Sequence, residues 1–169
     1  MKILFIAIII LLPVCAFAQT APSIIFSEIM YDLEGADSGR EWTEIYNFGS
    51  EPVEIITGTA STSWRFFDGT NHTLRVAQGT NILSAGGFAV LADDGEQWRA
   101  EHPGFTGTVF DTVMSLANTS STVGLSARSG EPLFTSVSYD ASWGGQGNGY
   151  SLERTDLLPH SENAEYWRQ

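Results

Sequence analysis

Between residues 23 and 48 the chain reads SIIFSEIMYDLEGADSGREWTEIYNF. Two runs with a side-chain period of two flank an acidic stretch punctuated by Gly35 and Gly39. That pattern predicts two β-strands joined by a long loop. In the first run Ile25, Ser27, Ile29 and Tyr31 fall on one face, and Ile24, Phe26, Glu28 and Met30 on the other. In the second, Trp42, Glu44, Tyr46 and Phe48 alternate with Thr43, Ile45 and Asn47. Both faces of both runs carry apolar side chains, as expected of interior strands covered on two sides.

The remainder continues in the same manner. Short apolar or alternating runs fall at residues 53–57, 64–67, 72–76, 88–92, 108–111, 114–117, 122–127, 133–139 and 150–154, separated by glycine, proline and aspartate. Asp68-Gly69 predicts a tight hairpin between the second and third of these. Residues 96–102 are the one stretch of good helix formers, with Asp93 or Asp94 as cap and Pro103-Gly104 as stop. Some of these runs are weak; about nine short strands with little helix predict an all-β sandwich.

The first eighteen residues stand apart. Lys2 is followed by an apolar run over residues 3–14 and then by Ala16-Phe17-Ala18. This is the layout of a signal peptide cleaved after Ala18, and the run is too short to span a bilayer comfortably. An uncleaved anchor, or a lipid attached at Cys15, are the alternatives. Cleavage places a single domain at residues 19–169, secreted or periplasmic, with no membrane span. Cys15 is the only cysteine, so the mature chain has no disulfide to form. Losing Lys2 leaves 7 basic against 20 acidic side chains, so the net charge moves from -12 to -13. Such a chain repels phosphate backbones, which argues against a nucleic-acid partner.

Four stretches carry a resemblance. They are Ile25-Phe26-Ser27-Glu28-Ile29; residues 39–47, GREWTEIYN; Leu83 with Gly86, Gly87, Val90 and Leu91; and residues 149–154, GYSLER, followed by Asn163 and Trp167. In this order and spacing they resemble the lamin tail domain family. The resemblance implies an immunoglobulin-like sandwich and a non-enzymatic binding or tethering role. Exported bacterial members accompany extracellular hydrolases or other modules, so an accessory domain of a longer exported hydrolase is an alternative. The nuclear filament role does not carry over, because neither a heptad rod nor a basic surface is present.

Chemistry-bearing patterns are few. His72, His102 and His160 sit in no metal-binding spacing, and no serine lies in a nucleophile elbow. The expectation is therefore a protein without catalytic activity. Asp32, Glu34 and Asp37 are spaced as oxygen ligands for calcium could be, although the loop is not an EF-hand; a solvated loop with a capping aspartate is the plain alternative. Trp143, Gly145 and Asn148 lie in a glycine-dense loop, where an exposed indole could stack on sugar rings of a polysaccharide or cell wall. Packing of Trp143 over the end of the sandwich is the plain reading. Glu28 and Glu44 interrupt apolar strands, so Arg154 is an expected ion-pair partner for one of them. Asn71 and Asn118 begin N-glycosylation sequons. The sequence names an unknown extracellular protein or polysaccharide as the partner class and no more.

Overall fold

A computed structural model describes residues 21–159 and 163–169. The leader, its cleavage point after Ala18, Cys15 and His160 lie outside the described residues. Among the described residues no helix is long and apolar enough to cross a membrane.

The expected all-β sandwich is present. The strands are β1 (Ile24–Met30), β2 (Trp42–Asn47), β3 (Val53–Glu54), β4 (Arg65–Phe67), β5 (Asn71–Thr73), β6 (Arg75–Gln78) and β7 (Ile82–Leu83). They continue with β8 (Phe88–Ala92), helix α1 (Gly95–Glu101), β9 (Thr108–Asp111), β10 (Ser120–Ser126), β11 (Leu133–Asp140), β12 (Leu152–Arg154) and β13 (Trp167–Arg168). One sheet runs β13-β12-β1-β2-β8-β9-β6, a second β11-β10-β4-β5, and a third pairs β3 with β7. Every pairing is antiparallel except β8 with β9. β1 and β2 are interior strands, as their two apolar faces require.

Thirteen described strands replace the expected nine or so. Several extra ones are two- or three-residue bridges. Another arises because the run at residues 72–76 is split: β5 pairs with β4 in the second sheet, and β6 pairs with β9 in the first. Leu74, 1% exposed, sits at the switch and fills the core between the sheets.

The face assignment of β1 needs correction. A bulge lies between Phe26 and Glu28, which pair with Ile45 and Glu44. One extra residue, Ser27, exchanges the two faces. Ile24 and Phe26 therefore point to the same core as Ile29 and Tyr31. Glu28 and Met30 point outward with Glu44 and Trp42.

Residues 114–117 form no strand, contrary to expectation. Three successive backbone N–H groups are taken by carboxylates instead of a neighbouring strand. Asp93 accepts from Met114 at 2.9 Å, Asp68 from Ser115 at 2.8 Å, and Glu41 from Leu116 at 2.9 Å. Tyr139 donates to the Ala117 carbonyl at 2.8 Å. Buried backbone donors must be paired, and here loop acids supply the partners that a ladder would have supplied.

Helix α1 behaves as expected. Asp94 caps it, accepting from Glu96 and Gln97. It lies on the outer face of the first sheet, over a second apolar cluster of Val90, Ala92, Trp98 and Val109. Beside it, the outer faces of β2, β1 and β12 carry Trp42, Glu44, Glu28 and Glu153.

Candidate functional site

The acidic loop, residues 32–41, is held by hydrogen bonds within itself and by others to Asp93 and Asn118. Asp37 accepts from the Leu33 backbone at 2.9 Å, and Gly39 N–H donates to Asp93 at 2.9 Å. The Asn118 amide donates to Asp32 at 3.1 Å and to Asp37 at 2.9 Å. Asp32 and Asp37 are thus brought together, with an amide between them, while Glu34 stands apart. Among the described residues no group of three or more His, Cys, Asp or Glu is set to hold a metal ion.

The glycine loop is fastened to the body of the domain. The Tyr31 hydroxyl donates to the Gly144 carbonyl. Gln169 accepts from Gly145 N–H at 2.7 Å and from the Asn148 amide at 2.8 Å. Gly145 has φ +75°, and a Cβ there would stand 3.2 Å from the Tyr31 ring, so both the turn and the close approach call for glycine. Trp143 is half-buried against the core and stacks on Trp167 at 6.4 Å. Of the three loop residues singled out in the sequence, Trp143 and Gly145 are thus part of the packing. The ring that this loop exposes is Tyr150, at 64%.

The two loops meet the end of α1 around a groove of about 510 Å³. Met30, Leu33 and Trp42 form its apolar part, Glu34 and Arg40 one wall, Glu101 and His102 another, and Gly149 reaches its edge. Arg40, Glu101 and His102 are each held in place. Arg40 donates to the carbonyls of Ala36 and Glu34 at 3.0 and 3.3 Å, and its Nε lies 3.4 Å from Glu101. Glu101 also accepts from Gln97 at 3.1 Å. His102 stacks on Trp98 at 4.1 Å, and its Nδ1 lies 2.8 Å from the Trp98 carbonyl. A carbonyl only accepts, so Nδ1 carries the hydrogen and Nε2 of the neutral ring keeps its lone pair.

The sequence carries only a faint sign of this groove. The alternation of Trp42 with Thr43 and Ile45, and its sharing of a face with Glu44, was the available signal. Arg40, Glu101 and His102 come from segments far apart in the chain and gave none.

Beside the groove, on the same outer face, Glu28 stands directly opposite Glu44 on one side and Glu153 on the other. Glu28 accepts a hydrogen bond from the Ser151 hydroxyl, and Glu44 one from Ser27 at 2.7 Å. Burial, with lesser contributions from Glu44 and Glu153, pushes the Glu28 carboxyl up to about 7. Burial likewise raises Glu44. Arg154, the expected partner of one of these carboxylates, lies 5.4 Å over the Trp167 ring and donates to the Leu158 carbonyl at 3.3 Å.

One further cluster, Asp68, Thr70 and His72, has the residue types of a hydrolytic relay without its geometry. Asp68 at 2.9 Å and Thr70 at 2.7 Å both meet the same ring nitrogen of His72, Nε2. A relay needs the carboxylate and the hydroxyl on opposite nitrogens. This arrangement ties down the hairpin turn.

No family model, curated protein or solved structure matches the chain.

Proposed function

We propose that this protein is an exported, non-catalytic binding domain of the lamin tail type, with an immunoglobulin-like sandwich as its scaffold and an extracellular protein or polysaccharide as its ligand. The observation that carries the reading is the arrangement of the four resembling stretches. They supply β1, β2, β8 and β12, which are consecutive neighbours in the sheet order β12-β1-β2-β8, and Trp167 of the closing stretch adds β13 beyond β12. Pieces scattered over more than a hundred residues thus form one contiguous surface, with the groove at its end. Nucleic acid is a poor partner for a chain of net charge -12.

The test is co-sedimentation of the purified protein with insoluble cell-wall preparations and its binding to immobilised secreted proteins. Turnover of chromogenic ester, glycoside and phosphate substrates is measured in parallel. Saturable binding without turnover is expected. Turnover that scales with protein and disappears on unfolding would replace the reading with an enzymatic one.

A calcium-assisted version rests on the meeting of Asp32 and Asp37 at Asn118. A thermal scan with calcium and with excess chelator decides it, because an ion that binds only the folded state raises the midpoint. Identical midpoints would remove calcium from the account.

A further inference from the structure

We propose that the groove between the acidic loop, the end of α1 and Gly149 binds an uncharged sugar residue of a polysaccharide. This rests on the reading of the protein as a binding domain and names the ligand class of one site on it. Trp42 supplies the flat apolar surface. Its ring is fixed by edge-on contacts to Trp98 at 6.1 Å and to His102 at 6.5 Å. Aromatic faces of this kind take the C–H face of a sugar ring as they take other apolar faces.

The polar walls choose the rest of the ligand. Arg40 and Glu101 hold one another, and Arg40 is also tied to two backbone carbonyls. Little side-chain ordering is left to be done on binding, which favours affinity. What these groups still offer is mostly acceptors: the Glu34 carboxylate, the second oxygen of Glu101 and Nε2 of His102. The Arg40 guanidinium is the donor among them. A ring that carries several hydroxyl donors around an apolar face complements this set. Two carboxylates against one guanidinium exclude an anionic sugar, because like charges brought together in a partly dry groove repel. The volume of about 510 Å³ falls within the range of small-ligand sites, about 300–1,000 Å³.

The experiment is affinity electrophoresis of the full chain through gels containing neutral glucans or mannan, chitosan, or polygalacturonate, with tryptophan fluorescence titration by soluble neutral oligosaccharides. Trp42→Ala, Glu34→Ala and the double variant Glu34→Ala/Glu101→Ala are compared with the parent. Trp42 also touches the cluster under α1. The unfolding midpoint of each variant is therefore recorded, and the exposed Glu34 provides a substitution that leaves packing alone. The expected result is retardation by a neutral polymer, none by polygalacturonate, about tenfold weaker binding for Trp42→Ala and about threefold or more for the carboxylate variants. Absence of retardation by every neutral polymer overturns the assignment. So does retardation by chitosan alone that vanishes with salt, which would mark a cation-binding acidic surface. Binding to a neutral polymer that survives in all three variants moves the site elsewhere and leaves the binding-domain reading standing. That reading falls only if the wall and secreted-protein tests are also negative.

Discussion

Glu28 should make stability fall as pH rises, the reverse of ordinary acid denaturation, and replacing it with glutamine should remove that fall. Glu28 faces Glu44 and Glu153 across two strand pairs, and like charges directly opposite one another destabilise a sheet. Burial and these neighbours raise its carboxyl from 4.5 to about 7. Between those two values the folded chain holds a proton that the unfolded chain has released. Stability rises with pH only where the unfolded state binds more protons, so here it falls as pH increases through the window. The favourable contribution is complete below pH 4.5 and gone above pH 7. At 1.36 kcal/mol per pH unit the difference is worth about 3 kcal/mol, and screening by water at the open outer face reduces the expectation to about 1–2 kcal/mol. Glu28→Gln keeps an acceptor for the Ser151 hydroxyl and cannot ionise. Urea unfolding followed by tryptophan fluorescence at pH 5 and pH 8.5 should show the parent losing stability between the two. Glu28→Gln should lose about 1–2 kcal/mol less, by being the more stable of the two proteins at pH 8.5. Parallel pH profiles for parent and variant would refute the reasoning, since they would mean that Glu28 ionises alike in both states.

Substitutions at three other positions test the scaffold, each by urea unfolding with unchanged slope as the check on two-state behaviour. Glu41→Ala leaves the Leu116 N–H without its acceptor and should cost about 1–3 kcal/mol at pH 5, with Glu41→Gln closer to the parent. Arg65 is 6% exposed and donates to the carbonyls of Ala60, Ser63, Trp64 and Gly58, so Arg65→Ala should cost about 3 kcal/mol or more, and Arg65→Lys, which lacks the fork, should recover only part of it. Asn47 is fully buried and its amide donates to the carbonyls of Glu51, Leu83 and Ser84 while its oxygen accepts from Gly49; Asn47→Ala should cost about 3 kcal/mol or more by leaving the Gly49 N–H without its acceptor and removing the amide donor from these carbonyls.

The parts of this fold that could be read from the sequence are those set by local period and local punctuation. The alternation around Ile45 fixed the faces of β2, Asp68-Gly69 announced the β4–β5 hairpin, and Asp94 capped α1 where the helix formers began. Two of the failures share a cause: a single residue altered a pattern that local period would extend. Ser27, inserted as a bulge, exchanged the faces of β1, and nothing in its identity distinguishes it from a paired serine. Leu74 passed for the middle of one strand, because a residue that fills the core between two sheets has the same apolar character as one buried within a sheet.

The acids show a deeper limit. A sequence with 20 acidic side chains invites a search for metal sites and surface charge. Several of them do structural work that spacing cannot disclose: Asp93, Asp68 and Glu41 accept the consecutive N–H groups of Met114, Ser115 and Leu116. Those acceptors come from three separate connections of the sandwich, and their targets come from a fourth. The same long-range convergence builds the groove, where Glu34 and Arg40 meet Glu101 and His102 only because α1 lies over the outer face beside Trp42. A carboxylate in this chain is therefore best assigned a role by asking which backbone donor it faces. Glu34 in the groove and the Glu28, Glu44 and Glu153 row next to it serve no backbone donor among the described residues, and they lie on the surface where the proposed ligand would act.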